Sequence, residues 1–238
     1  DEKAAVTTWL KEWAGQGTLA LPAAVTNDAD WKRGQALLQI GRRTEALLNL
    51  ERVRKRFEKD PWTLAALAIA FRDAGANRLS LLSAEGVISL RGQPLKDTPV
   101  ALQKLADPFP YEKLVRQEAA KQNLDPRLLA AIMRQESRFD REAASPAAAR
   151  GLMQLTLPAA GEAARELNEA PPAYSELYDP ARSIRLGART LRSLLDRLGD
   201  EPALAASGYN AGAGQTILWS GGSDRPAEAL LAAISYSE

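Results

Sequence analysis

The hydrophobic periodicity of this chain restricts its fold most, because it is helical wherever it is regular. Apolar residues recur at spacings of three and four, and no stretch of any length alternates apolar and polar residues as a half-buried strand would. In the second half, helical patterns run at about 111–122, 126–136, 158–167, 181–198 and 201–209. The sequence therefore predicts an all-α protein.

The first half contains two helical stretches that resemble each other. Their glycines, Gly41 and Gly75, are 34 residues apart, which is the period of tetratricopeptide-like helix–turn–helix repeats. Asp60 and Pro61 stand between them, and an Asp cap followed by proline is typical of a helix start. We predict stacked antiparallel helix pairs, although two copies are fewer than the three or so that such an array needs by itself. The pairs would form either a platform on which the second half of the chain packs or a docking surface for a partner.

Four prolines within residues 92–110 indicate a change of organisation. They surround a short apolar stretch at 100–105, a pattern that favours a connection wrapped onto a core over a free linker. We place the boundary near residue 106. This predicts a helical repeat region at 1–105 and a second domain at 106–238, and 238 residues are enough for both to have a core.

The absence of histidine and cysteine excludes several classes of enzyme. A Ser-His or Cys-His nucleophile cannot be built, and neither can a His or Cys metal site. Catalysis would depend on Asp, Glu, Lys, Tyr or Ser side chains, or on a cofactor. The formal net charge is only +1, so the charge balance does not indicate nucleic acid as a partner.

The sequence has no feature expected of a membrane span or an export signal. No run of about 18 apolar residues occurs, so no transmembrane segment is predicted. The chain begins Asp1-Glu2-Lys3, without a charged-then-apolar signal segment. The alternatives are a protein that is not exported, a mature form, or a fragment.

Glu136 is the candidate for acid–base chemistry. Asp125 and Pro126 are typical of a helix start, and Glu136 follows Ile132 by four residues and Met133 by three. This spacing directs its carboxyl group to the core side of the helix. Burial and the negative end of the helix should both raise its pKa, as a general acid requires. This segment alone favours a non-catalytic interpretation, either a buried Glu paired with an Arg or a frayed helix end that faces water.

Three further segments follow Glu136 and Ser137 in order. Residues 151–154 read Gly-Leu-Met-Gln, residues 179–187 read Asp-Pro-Ala-Arg-Ser-Ile-Arg-Leu-Gly, and residues 208–212 read Gly-Tyr-Asn-Ala-Gly. The last is not a phosphate-binding loop, because it ends a helix instead of following a strand and lacks the lysine. Each segment by itself is weak evidence for a function. The order of the segments along the chain is the specific signal.

In this order the segments resemble those of the soluble lytic transglycosylases of bacterial cell walls. The likeness covers about residues 106–238, and the helices before it look like the superhelical region of the larger family members. The resemblance implies a lysozyme-like catalytic domain of the goose type that cleaves the β-1,4 bond between N-acetylmuramic acid and N-acetylglucosamine in peptidoglycan. The product would be a 1,6-anhydromuramic acid end. No metal or organic cofactor is implied.

The resemblance assigns five substrate-binding residues, which are Ser137, Met153, Gln154, Tyr209 and Asn210. Ser137 would help to orient the substrate and the catalytic carboxyl group, and Met153 and Gln154 would line the sugar site. Tyr209 would hydrogen-bond toward the catalytic Glu, and Asn210 toward the muramoyl sugar.

Glu136 would be the single catalytic acid and base. Glycosidases generally use two carboxyl groups, but here the 6-hydroxyl of the substrate would attack its own C1. An attacking group within the same molecule replaces a bound water, because its effective concentration is very high.

The alternatives are a lysozyme-like hydrolase and a non-catalytic peptidoglycan-binding scaffold. A hydrolase needs a second carboxylate to activate water, and the available ones are Asp140, Glu142, Glu162 and Asp179. Other cell-wall proteins could bind the helical region, and the periplasm or cell envelope is inferred from the substrate. Residues 234–238 look like the start of the segment that leads into the final helix of the family, which leaves truncation of this domain open.

Overall fold

The structure is a computed structural model, and it describes residues 2–220. The regular structure in this range is helical, and pairing between extended segments is limited to isolated bridges from Arg150 to Ala144 and to Leu155. The all-α prediction is confirmed. Residues 234–238, on which the expectation of a truncated final helix depends, lie outside the described residues.

The chain folds into two compact units. The first extends to Pro110 and also includes Arg138–Glu142, and the second comprises Tyr111–Ser137 and the chain from Ala143 onward. The sequence pattern had placed residues 138–142 wholly in the second domain. The predicted boundary near residue 106 stays a prediction.

Helices α1 to α7 belong to the first unit. Their bounds are Glu2–Ala14 (α1), Ala23–Thr26 (α2), Ala29–Gln39 (α3), Arg43–Arg56 (α4), Pro61–Asp73 (α5), Asn77–Arg91 (α6) and Val100–Ala106 (α7), with a short 3-10 helix at Leu95–Asp97. α3 packs on α4 and α5 packs on α6. The turn within each pair contains a glycine in the left-handed region, Gly41 and Gly75. That these pairs form a tetratricopeptide-like array stays a prediction.

α5 is the central helix of the first unit. Trp62, Leu64 and Ala68 pack in a cluster with α1 and α7, whereas Leu67 and Phe71 pack in a second cluster with α3 and α4. The helix is apolar on most of its surface because it is covered on more than one side.

Helices α8 to α13 belong to the second unit. Their bounds are Glu112–Lys121 (α8), Pro126–Ser137 (α9), Leu157–Glu166 (α10), Pro180–Arg197 (α11), Pro202–Ala211 (α12) and Ala213–Ser220 (α13), with a short 3-10 helix at Tyr174–Tyr178. The first five confirm the five helices predicted in this half, each within two residues. The sequence did not predict α13, whose eight residues are too few for a clear period.

α11 is the central helix of the second unit, in contact with α8, α10 and α12. Asp179 caps its first turn by accepting a hydrogen bond from the Arg182 N–H at 2.8 Å. Ile184, Leu191 and Leu195 on its inner face are buried. The long amphipathic helix thus supports the elements that carry the candidate site. Among residues 2–220, no helix has the length and apolar character needed to cross a membrane.

We expect Asp60→Ala to lower the free energy of unfolding by about 1 kcal/mol, the usual effect of losing a helix cap. Asp60 Oδ1 accepts hydrogen bonds from the N–H groups of Trp62 (3.1 Å) and Thr63 (3.2 Å) at the start of the central α5. Urea unfolding would measure the change. Asp60→Asn is the matched control, because asparagine caps as well; equal stability of the Ala and Asn variants would contradict this role.

Candidate active site

Glu136 lies in the last turn of α9, whose Leu129, Ile132 and Met133 are buried. Asp125 caps this helix by accepting a hydrogen bond from the Arg127 N–H at 2.8 Å. The Glu136 side chain is half-buried, and burial raises the pKa of its carboxyl group. The predicted direction of this pKa shift is confirmed.

The environment of Glu136 differs from that of a structural ion pair. Among residues 2–220, no Lys or Arg is within ion-pair distance of its carboxylate, and burial is the only cause of its raised pKa. A cation close to it would have lowered the pKa instead. The carboxyl group is therefore held toward its protonated form, the state in which it can donate a proton.

Ser137 connects the end of α9 to the Gly-Leu-Met-Gln segment. Its buried hydroxyl lies 2.8 Å from the carbonyl oxygen of Leu152 and 3.1 Å from that of Met133, and its one proton serves these two acceptors. The structure thus gives Ser137 a fixing role within the protein. Its predicted contact with substrate stays a prediction.

Gly151 begins a tight turn that only glycine can form. Its φ is +74°, and a Cβ on it would lie 1.9 Å from the carbonyl oxygen of Leu177. Its N–H donates to Ala143 O at 2.9 Å. The side-chain amide of Gln154 donates to Ala143 O at 3.1 Å and to Gly151 O at 2.9 Å, so it holds the turn. Its predicted place in the sugar site stays a prediction.

Met153 is held on three sides. Its side chain has no exposed surface and packs on Gly187, where a Cβ would lie 2.5 Å from Met153 Cγ. Its N–H donates to Ser183 Oγ at 3.2 Å, and its carbonyl accepts from the Tyr209 hydroxyl at 2.9 Å. The structure therefore assigns its side chain to packing. Its predicted role in lining the sugar site stays a prediction.

Tyr209 lies within electrostatic reach of Glu136. Burial, followed by the negative charge of Glu136, raises the pKa of its phenol well above the ordinary value, so the phenol stays neutral. The prediction directed its hydrogen bond toward Glu136, but the proton goes to the carbonyl of Met153 instead. Its oxygen can still accept a hydrogen bond from a protonated carboxyl group.

Asn210 is exposed near the end of α12. The structure leaves its amide at the surface, and its predicted contact with the muramoyl sugar stays a prediction. The adjacent glycine, Gly208, is buried, and a Cβ there would lie 3.0 Å from Leu198 and 3.2 Å from Leu194. Glycine at this position allows close packing of α12 on α11.

The four carboxylates considered for a hydrolase differ in their surroundings. Asp179 caps α11. Glu162 is exposed and lines, with Tyr209, a cavity of about 230 Å³. Asp140 and Glu142 belong to the first unit; burial raises the pKa of Asp140, while the Glu142 N–H and the charges of Arg78 and Arg43 lower it. Within residues 2–220, no group of three or more acidic side chains is arranged to hold a metal ion.

Two residues that hold the site were not among the predicted site residues. Ser183 supplies the acceptor for the Met153 N–H, and Gly187 leaves the space for the Met153 side chain. Both lie in the Asp-Pro segment that the sequence singled out. Their order in the chain was visible, but their contact with Met153 exists only in three dimensions.

Gly151→Ala should lower the free energy of unfolding by at least about 2 kcal/mol, because the left-handed backbone and the contact with the Leu177 carbonyl both oppose a Cβ. Urea unfolding would measure it. Gly161→Ala, within α10 and with nothing within 4 Å of the added carbon, is the control. It should be neutral or stabilising by up to about 1 kcal/mol, and a similar loss in both variants would contradict the steric explanation.

The free energy of unfolding of Glu136→Gln, measured relative to that of the wild type, should increase as the pH rises. Because burial raises the folded-state pKa of Glu136 above its ordinary value of 4.5, the wild type loses stability as the pH rises through that raised pKa, and glutamine does not. Urea unfolding at a series of pH values would measure this difference. Glu112→Gln, at an exposed ion pair with Arg116, is the control. A stability difference for Glu136→Gln that does not change with pH would contradict the shift.

Comparison with known proteins identifies the family. Residues 113–231, half of the chain, match the family described as transglycosylase SLT domain. A membrane-bound lytic murein transglycosylase F from Alcanivorax borkumensis is 38% identical over 120 residues, covering 48% of this chain and 24% of the relative. A soluble lytic murein transglycosylase from Escherichia coli K12 is 29% identical over 136 residues, covering 55% and 21%. The chain thus spans about a quarter or less of the length of these relatives.

Solved structures share the fold. An inactive mutant of the lytic transglycosylase Slt from Pseudomonas aeruginosa aligns with a TM-score of 0.76 at 22% identity, covering 99% of this chain and 39% of that one. The 70-kDa soluble lytic transglycosylase in complex with bulgecin A aligns with a TM-score of 0.75 at 21% identity, covering 97% and 37%. The match of the family model over half of its length shows that the chain belongs to the SLT transglycosylase family.

Proposed function

We propose that this chain is a peptidoglycan lytic transglycosylase, with Glu136 as its single catalytic acid and base. The observation that carries the proposal is the half-buried carboxyl group at the end of α9. Burial raises its pKa, and among residues 2–220 it has no cationic partner. Membership of the SLT family supports the choice of substrate, the β-1,4 bond between N-acetylmuramic acid and N-acetylglucosamine.

The reaction begins with the protonated form of Glu136. It donates its proton to the oxygen that leaves with N-acetylglucosamine, as the bond from this oxygen to C1 of N-acetylmuramic acid breaks. The substrate's acetamido group stabilises the positive charge at C1. The 6-hydroxyl of the same sugar then bonds to C1 and gives its proton to the Glu136 carboxylate. The product is a 1,6-anhydro end, no water is consumed, and Glu136 is protonated again.

The surroundings of Glu136 fit both halves of this cycle. Before cleavage, burial raises the pKa of the carboxyl group and so favours its protonated form. After cleavage, the same burial makes the carboxylate a stronger base toward the 6-hydroxyl. Tyr209, kept neutral by burial and by the charge of Glu136, offers an oxygen that can accept a hydrogen bond from the protonated acid. Substrate binding by Ser137, Met153, Gln154, Tyr209 and Asn210 remains part of the proposal.

The proposed place of action is the periplasm or cell envelope, where peptidoglycan lies. The first unit is proposed as a packing platform for the catalytic unit, with a docking surface for other cell-wall proteins as the alternative. A hydrolase is the alternative activity. It differs in its product, a reducing end formed by addition of water.

Glu136→Gln should lower cleavage of purified peptidoglycan by about 10²-fold or more, because the amide keeps the shape but cannot donate the proton. Mass spectrometry of wild-type digests should show muropeptides about 18 Da lighter than hydrolysed ones, since water is not added. Glu112→Gln, at an exposed ion pair, is the matched control. Hydrated reducing ends from the wild type would identify a hydrolase, and full activity of a folded Glu136→Gln variant would exclude the proposed acid.

A further inference from the structure

The segment after the Glu136 helix has an unusual backbone. Arg138 and Phe139, which follow the last residue of α9, have φ angles of +49° and +63°. Two consecutive residues other than glycine in the left-handed region are uncommon, and they persist where the surrounding structure holds them. Ser137 belongs to the second unit, whereas Arg138–Glu142 belongs to the first. The surroundings that hold these two left-handed residues therefore belong to the first unit.

Phe139 is one point of attachment within the first unit. It is 3% exposed. With Leu47, Ala76 and Leu79 it lines a cavity of about 10 Å³. This volume holds about one water molecule at most, so the aromatic ring is closely packed. Burial of a whole aromatic side chain strongly favours one position of the segment.

Asp140 is the second point of attachment. Its Oδ1 accepts a hydrogen bond from the Glu142 N–H at 3.1 Å, which closes the segment on itself. The charges of Arg78 on α6 and Arg43 on α4 attract its carboxylate. Both arginines are themselves held: the Arg43 guanidinium donates to Gly75 O, and Arg78 pairs with Glu51 at 3.8 Å. Asp140 and the two arginines, which come from different helices, line the same small cavity, so the arginine charges act on its carboxylate.

We propose that Phe139 and Asp140 are positioning residues for Glu136: by seating residues 138–142 in the first unit, they fix the end of α9 and with it the catalytic carboxyl group. The proposal rests on the proposed function of Glu136 as the acid. Only three residues separate Glu136 from Asp140, so a released segment would let the end of α9 fray. A misplacement of about 1 Å can lower a rate by about 10²-fold. The first unit then contributes directly to catalysis.

The main test is Asp140→Asn in the whole chain. Asparagine keeps the shape and the acceptor for the Glu142 N–H but removes the charge that faces the arginines. We expect kcat on peptidoglycan to fall by about ten-fold or more with KM changed by less than about two-fold, because geometry is lost and not binding. Arg141→Gln, an exposed neighbour on the same segment, is the control and should keep wild-type kcat.

A double-mutant cycle separates positioning from a direct chemical role of Asp140. Arg78→Met should lower kcat in the same way, and the double variant should lose little more than either single one, because both changes remove the same electrostatic interaction. The product should keep its anhydro end in every variant. A normal kcat in Arg78→Met, or reducing ends in the wild type with Asp140 essential, would overturn the proposal in favour of a second catalytic carboxylate.

Hydrogen exchange followed by mass spectrometry tests the proposal without using activity. Asp140→Asn should speed amide exchange several-fold in peptides that cover residues 133–139, while exchange in α11 stays unchanged. Phe139→Leu should do the same if it folds. Unchanged exchange together with unchanged kcat would overturn the proposal. If the wild type does not cleave peptidoglycan, the proposed function fails, and the exchange data still decide whether Asp140 holds the end of α9.

Discussion

The peptide groups of Met153 are fixed from two directions, and the arrangement of the candidate site depends on this. Its N–H is held by Ser183 from α11, and its carbonyl is held by Tyr209 from α12. One residue earlier, the carbonyl of Leu152 receives the Ser137 hydroxyl from α9. A single short turn therefore joins three helices through hydrogen bonds to its backbone. Buried backbone groups need partners, so each of these side chains also satisfies a requirement of the fold.

This arrangement explains why glycines recur in the motifs. Gly151 allows the turn to approach the Leu177 carbonyl, Gly187 makes room for Met153, and Gly208 lets α12 lie close to α11. Each glycine shortens a distance between elements. A Cβ at Gly151 or Gly187 would push the turn away from the helices that hold it, and the geometry around Glu136 would be lost with it.

The electrostatics of the site depend on the lack of an ion-pair partner for Glu136 among the described residues. Ion pairs are frequent on the surface of the second unit, including Arg189 with Glu166 and Arg116 with Glu112. Within the described residues, Glu136 takes part in none of them. Its half-burial raises its own pKa, and its charge contributes to raising that of Tyr209. A neutral phenol and a carboxyl group held toward its protonated form are a combination suited to proton transfer.

Much of the fold could be predicted from short stretches of the sequence. The start of α9 was visible in Asp125-Pro126 and the start of α11 in Asp179-Pro180, because a capping side chain followed by proline acts on the adjacent turn. The side of α9 that carries Glu136 followed from spacing alone. The hydrogen bond of Tyr209 could not be assigned this way, because its acceptor lies 56 residues away at Met153. The fixing role of Ser137 depends likewise on the carbonyl of Leu152.

The helical class, the positions of α8 to α12, the family resemblance, and the candidate acid with the direction of its pKa shift could all be predicted from the sequence. These follow from local periodicity, from end signals and from the order of motifs. Three findings needed the folded structure: Ser183 and Gly187 hold Met153, the proton of Tyr209 goes to a backbone carbonyl, and residues 138–142 belong to the first unit. The physical reason is that burial and hydrogen-bond partners are set by residues distant in the chain, and a spacing pattern contains no information about which of them meet.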